Sequence, residues 1–101
     1  MDEAEFEKLA DAALTRAEAA LEADDPDADL ELKEGGILEV TFASGARLIV
    51  NRHRAAREIW VAAPSGGFHF RWDGAAWRDT RSGMELFESL AALAAEHGSK
   101  A

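Results

Sequence analysis

The change of apolar period at Asp24-Asp25-Pro26-Asp27 constrains this chain more than any other feature. Before it, Phe6, Leu9, Ala10, Ala13, Ala17, Ala20 and Leu21 recur at helical spacing and share one face, with Leu14 at its margin. Glu7, Asp11, Glu18 and Glu22 fall on a separate stripe. Abundant alanine favours a helix over 3–23, and the acids of its first turn suit the helix dipole. Pro26 cannot continue that helix and disfavours a helical Asp25. After it the period becomes two: Leu30 and Leu32 alternate with Asp29, Glu31 and Lys33 on a first strand. A chain that switches from the helical to the strand period at one proline has to pack helix on sheet.

The alternation then repeats between short turns. Glu34-Gly35-Gly36 leads into Leu38, Val40 and Phe42, and Ala43-Ser44-Gly45 into a strand from Arg47 to Arg52. A basic, irregular connection, His53-Arg54-Ala55-Ala56-Arg57, precedes a strand over Glu58 to Ala62. Pro64-Ser65-Gly66-Gly67 turns into Phe68, Phe70 and Trp72, and Asp73-Gly74 into a short strand over Ala76 to Asp79. Ser82 and Glu85 read as the capping box of a last helix whose apolar face is Leu86, Phe87, Leu90, Leu93 and Ala94. Gly98 ends it, and residues 98–101 read as a flexible tail. The expected fold class is α+β: a two-layer α/β sandwich, two helices packed on one face of an antiparallel sheet of about five to six strands. Residues 1–101 form a single domain, a size at which one core suffices without disulfides.

Charge narrows the function classes. Residues 1–34 hold 13 acids and 3 bases, whereas the remainder carries a net charge of +1 within a total of −9. The stretch Glu18 to Glu34 alone has eight carboxylates and one base. Nucleic acid or an anionic membrane would be repelled by this third of the chain, whereas cations or a basic protein patch would be drawn to it. A merely solubilising surface is the competing reading. Cysteine is absent, which removes disulfides, thiolate catalysis and Cys-ligated metal centres, and fits a reducing compartment. No apolar run is long enough for a membrane span, and the acidic start MDEAEFEK is neither a secretory signal nor a transit peptide. A cytoplasmic protein is expected.

Carboxylate oxygen suits hard cations. Asp25, Asp27 and Asp29 sit at the alternate positions of an EF-hand loop. That reading fails, because Leu30 takes the place of the required glycine and Gly36 that of the bidentate glutamate. Any metal site here is therefore open and weak. His53, His69 and His97 lack zinc-ligand spacing, no serine lies in a nucleophile elbow, and no phosphate loop is present, so an enzyme is not expected. In Ile59-Trp60-Val61 alternation admits two orientations: the flanking pair inward with Trp60 on the open face, or the reverse.

Over essentially its whole length the chain resembles the frataxin family, in particular the bacterial frataxins. The carriers are Glu5-Phe6 with Leu9-Ala10-Asp11, the acidic run through Asp29, Gly35-Gly36-Ile37-Leu38 before Thr41-Phe42, and Asn51-Arg52. Ile59-Trp60-Val61-Ala62, Gly66-Gly67-Phe68-His69-Phe70 and Arg81-Ser82-Gly83 complete the set. The resemblance implies an α-β-α sandwich and a role in iron–sulfur cluster assembly. It implies weak surface binding of ferrous and ferric iron on an acidic ridge matched by Glu18, Glu22, Asp25, Asp27, Asp29 and Glu31, with Asp24 adjacent. The same ridge would dock a basic surface of the cysteine desulfurase, with Asn51, Arg52 and an exposed Trp60 as neighbouring partner contacts. The cluster scaffold protein is a further implied partner. A monomer is expected, with iron-dependent oligomers as an implied second state. Ala23, Pro26 and Ala28 make this ridge sparser than the family pattern. A metal-independent acidic adaptor for a basic protein is the alternative function.

Overall fold

The structure, a computed structural model, describes residues 1–98. The first helix, α1, spans Glu3–Asp24. Asp2 caps it by accepting the Glu5 N–H at 2.8 Å, and Asp25 closes it with its own N–H on the Leu21 carbonyl. Six strands follow: β1 Asp29–Lys33, β2 Ile37–Thr41, β3 Arg47–His53, β4 Glu58–Ala63, β5 Gly66–Trp72 and β6 Trp77–Asp79. They form one sheet in sequential order, every neighbouring pair antiparallel. The second helix, α2, spans Leu86–His97.

Both helices lie on one face. The buried stripe of α1 (Phe6, Ala10, Ala13, Leu14, Ala17, Leu21) and that of α2 (Leu86, Leu90, Leu93, Ala94) meet Leu38, Val40, Leu48, Val50, Ile59, Val61 and Phe70 from the strands. This is the sandwich expected from the period switch. Ile59 and Val61 fill the core, which settles the orientation of Trp60: the indole stands on the uncovered face. The edge strand β1 contributes least to the core, since Leu30 is only partly buried and Leu32 is 44% exposed.

Four expectations need correction. The last helix starts at Leu86 with Glu85 as its cap, and Ser82 plays no part in capping it. The Ser82 hydroxyl donates to Asp79 and receives the Met84 N–H, while Gly83 takes φ +77°, so this segment is a turn that keeps the chain out of the helix. Gly66 and Gly67 open β5 rather than belonging to a turn, and His53 ends β3 rather than lying in a loop. Gly98, expected to begin a tail, is the buried cap of α2; the rest of that segment, 99–101, lies outside the described residues.

Candidate functional site

The ridge carboxylates come from three elements. Glu18, Glu22 and Asp24 project from the C-terminal half of α1, Asp27 from the following loop, and Asp29 and Glu31 from the edge strand β1. Glu22, Asp24, Asp27, Asp29 and Glu31 are exposed and Glu18 is half-buried. Among the described residues, no ion pair and no side-chain hydrogen bond reaches any of these six carboxylates. The first half of α1 is different. There Glu3 and Glu7 meet Arg54 at 3.4 and 3.0 Å, and Glu7 and Asp11 meet Arg52. Charge repulsion is thus compensated at one end of the helix and left uncompensated at the other.

Asp25 does not share the exposed ridge. It is 3% exposed, and its two oxygens accept the N–H groups of Asp27 and Ala43, each at 3.2 Å. It therefore ties the end of α1 to the turn between β2 and β3. The sequence places it beside Asp24 and Asp27, but the chain reversal at Pro26 turns its side chain inward. A carboxylate committed to two backbone donors is anchoring structure, not an open cation ligand.

No three His, Asp or Glu side chains converge on a point that would hold a metal ion among the described residues. Where carboxylates do come together, on the open sheet face, Glu31 stands directly opposite Glu39 in the β1–β2 register. Glu39 is clasped by Lys33 at 3.1 Å and Arg47 at 3.2 Å. It was legible as a polar position of β2, but only the register shows that it faces the ridge.

The second predicted surface divides. Asn51 pairs with Trp60 across β3 and β4, and both belong to the open face. Arg52 points the other way. Its guanidinium lies at the rim of the helix layer against Asp11 and Glu7, with Gly36 beneath it, so it does not share the open face with Trp60.

Trp60 is held on both sides. The His53 ring stacks on it at 3.7 Å between centroids and the His69 ring at 4.5 Å, each inclined by 12°. Its indole N–H donates to Glu58 Oε1 at 2.8 Å, and the other Glu58 oxygen accepts from Arg71 at 2.6 Å. Glu58 is 6% exposed. Burial pushes its pKa up, but the Trp60 and Arg71 hydrogen bonds and the nearby Arg71 and His69 charges outweigh this and hold it below the ordinary carboxylate range. Sequence reasoning gave His53 and His69 no role beyond their lack of zinc-ligand spacing, and named Glu58 only as the start of a strand. The signal was the cross-strand register, which puts His69 beside Trp60 and Glu58 beside both His53 and Arg71.

A family model described as the frataxin-like domain matches residues 1–100. The chain belongs to the frataxin family. An iron–sulfur cluster assembly protein CyaY of Dechloromonas aromatica is 58% identical over 101 residues, which span 100% of this chain and 96% of that protein. The CyaY of Cupriavidus pinatubonensis is 46% identical over 104 aligned positions, covering 100% and 94%. Among solved structures, a frataxin from Psychromonas ingrahamii superposes with a TM-score of 0.83 at 30% identity, over 95% of this chain and 91% of that one. A trimeric frataxin from the yeast Saccharomyces cerevisiae, complexed with ferrous iron, superposes at 0.71 with 25% identity, over 99% and 88%. Sheet order and helix placement in this frataxin-like chain accord with those neighbours, and no helix of the described residues is long and apolar enough to cross a membrane.

Proposed function

We propose that this chain is a non-enzymatic, iron-binding regulator of iron–sulfur cluster assembly. Ferrous or ferric iron is its weakly held cargo, and a basic surface of the cysteine desulfurase is its partner. Both meet the chain at Glu18, Glu22, Asp24, Asp27, Asp29 and Glu31, with Asp25 as the internal anchor of that ridge. Trp60 and Asn51 extend the partner surface, and the cluster scaffold protein is a further candidate for it. The observation that carries the reading is that, among the described residues, none of these six adjoining carboxylates has a counter-charge, whereas Glu3, Glu7 and Asp11 at the other end of α1 do. Oxygen donors of this kind suit hard iron ions, and their exposure means that bound iron keeps much of its water. Frataxin with ferrous iron and CyaY proteins named for cluster assembly support the assignment.

The test is anaerobic NMR of labelled protein titrated with ferrous iron, then with purified desulfurase. Ferrous iron is expected to broaden residues 18–31 alone and desulfurase those residues together with Asn51 and Trp60, and the desulfurase complex should weaken as salt is raised. Broadening by either ligand that spares residues 18–31, or a complex indifferent to salt, would refute the electrostatic ridge.

Dispersal of the carboxylates over helix, loop and strand favours one other reading, a metal-independent acidic adaptor. On that reading, Asp27→Asn with Asp29→Asn lowers desulfurase affinity equally with and without iron.

A further inference from the structure

The uncovered face of the sheet carries one large aromatic side chain that the core does not use, Trp60, and three residues are arranged around it. Two imidazoles lie nearly parallel to the indole, one on each face, from β3 and β5. The N–H edge is fixed by a carboxylate that is itself buried and held by Arg71. His53 is fixed in turn, since its Nδ1 accepts the Ala56 N–H at 3.3 Å. Burying Glu58 on this face costs desolvation and adds nothing to the hydrophobic core on the other side. What the arrangement does achieve is to restrict the two torsions of the indole.

We infer that His53, His69 and Glu58 are positioning residues, which lock the Trp60 indole into one orientation on the open face before any partner arrives. A half-exposed tryptophan free to change rotamer has to be ordered on binding, whereas a clamped one has already lost that freedom. The clamp also leaves only the outer edge of the ring group for contact, so a partner reads an edge of three aligned rings rather than a bare indole face. This inference rests on Trp60 belonging to the partner surface, but the clamp itself is measurable without a partner.

The experiment uses the full chain uniformly labelled with 15N. The heteronuclear NOE of the Trp60 indole N–H reports its mobility, and backbone NOEs of β4 report whether the strand is intact. In wild type the indole should be as rigid as the backbone. In His69→Ala and Glu58→Ala it should become mobile while β4 stays ordered. His69→Phe, which keeps the stack, and Glu58→Gln, which keeps an acceptor for the N–H, should restore rigidity. Desulfurase affinity should fall roughly three- to tenfold in the alanine variants. It should recover in His69→Phe, and it should not fall additively with Trp60→Ala. An indole that stays rigid in both alanine variants overturns the clamp. A loosened indole with unchanged affinity overturns its use in binding and leaves a structural clamp only. If wild type itself does not bind desulfurase, the functional reading above fails, and the indole NOE alone decides the clamp.

Discussion

Replacing Asp25 separates an anchoring carboxylate from its exposed neighbours. Asp25→Ala removes the acceptors of the Asp27 and Ala43 N–H groups, both at 3.2 Å and both part-buried. Hydrogen bonds to a charged group contribute about 1.5–3 kcal/mol each, and these lengths put both at the low end. Partial access of water to the freed donors lowers the sum further, so a loss of about 2–3 kcal/mol is expected. In a chain of this size that lowers Tm by roughly 10–25 °C. Asp25→Asn should lose nearly as much, because its amide can present an N–H to one of the same donors. Asp27→Ala, whose carboxylate has no partner among the described residues, should stay within about 0.5 kcal/mol of wild type. Urea unfolding followed by far-UV circular dichroism measures all three variants. A loss below about 1 kcal/mol for Asp25→Ala, or a loss equal to that of Asp27→Ala, would refute the anchor and return Asp25 to the open ridge.

Gly36 has φ +77°, and a Cβ there would lie 2.6 Å from Arg52 Nε; Gly35 has φ +87° with open space around it. Gly36→Ala should therefore cost about 1–3 kcal/mol by thermal unfolding, and Gly35→Ala less, from backbone strain alone. Arg52→Gln should destabilise the chain by about 1–2 kcal/mol through loss of the Asp11 and Glu7 contacts, with desulfurase affinity unchanged. Glu58 has a lowered native pKa, so its stabilisation is complete above the ordinary carboxylate range and is lost as pH falls through the native value. In denaturation curves across pH, the gap between wild type and Glu58→Gln should close on acidification below about pH 5 and be flat above it. Neutralising the ridge with Asp27→Asn, Asp29→Asn and Glu31→Gln should raise stability by about 0.5–1.5 kcal/mol at low salt, a gain that vanishes at high salt. A ridge variant that is less stable than wild type at low salt would mean that these carboxylates have structural partners.

The two-layer fold was legible because each of its determinants is local. One proline marks the switch of period, and glycine-bearing turns separate strands whose apolar residues alternate without a slip. The start of α2 was misread because Ser82 and Glu85 satisfy the spacing of a capping box, while the geometry that excludes it belongs to Asp79 and Gly83 upstream. Ridge composition was legible in the same way, as a run of acids. Its internal difference was not, since Asp25 is distinguished by the Ala43 N–H, 18 positions away in sequence. Arg52 and Trp60 show the same limit from another side. They are equally plausible surface residues in a linear reading, but the pleat sends residue 52 to the helix layer and residue 60 to the open face.

The distribution of ion pairs bears on whether the ridge is more than a solubilising surface. Lys33, Arg47, Arg52, Arg54, Arg71 and Arg78 are all ion-paired, and the carboxylates they meet are Glu3, Glu7, Asp11, Glu39, Glu58 and Asp73. None of these acids belongs to the ridge. The fold therefore has bases enough to compensate several ridge acids, yet places them at the first half of α1 and across the sheet. Lys33 illustrates the point: it follows Glu31 on β1, and its ammonium lies on Glu39 of the neighbouring strand. A solubilising surface needs only net charge, which interspersed pairs and acids would supply with less repulsion. Placing six acids without ion pairs on adjoining helix, loop and strand instead produces a local field that a cation or a basic surface relieves on binding. The energy of that relief is available only to a ligand of opposite charge, which is why ionic strength is the variable that should act on stability and on partner affinity together.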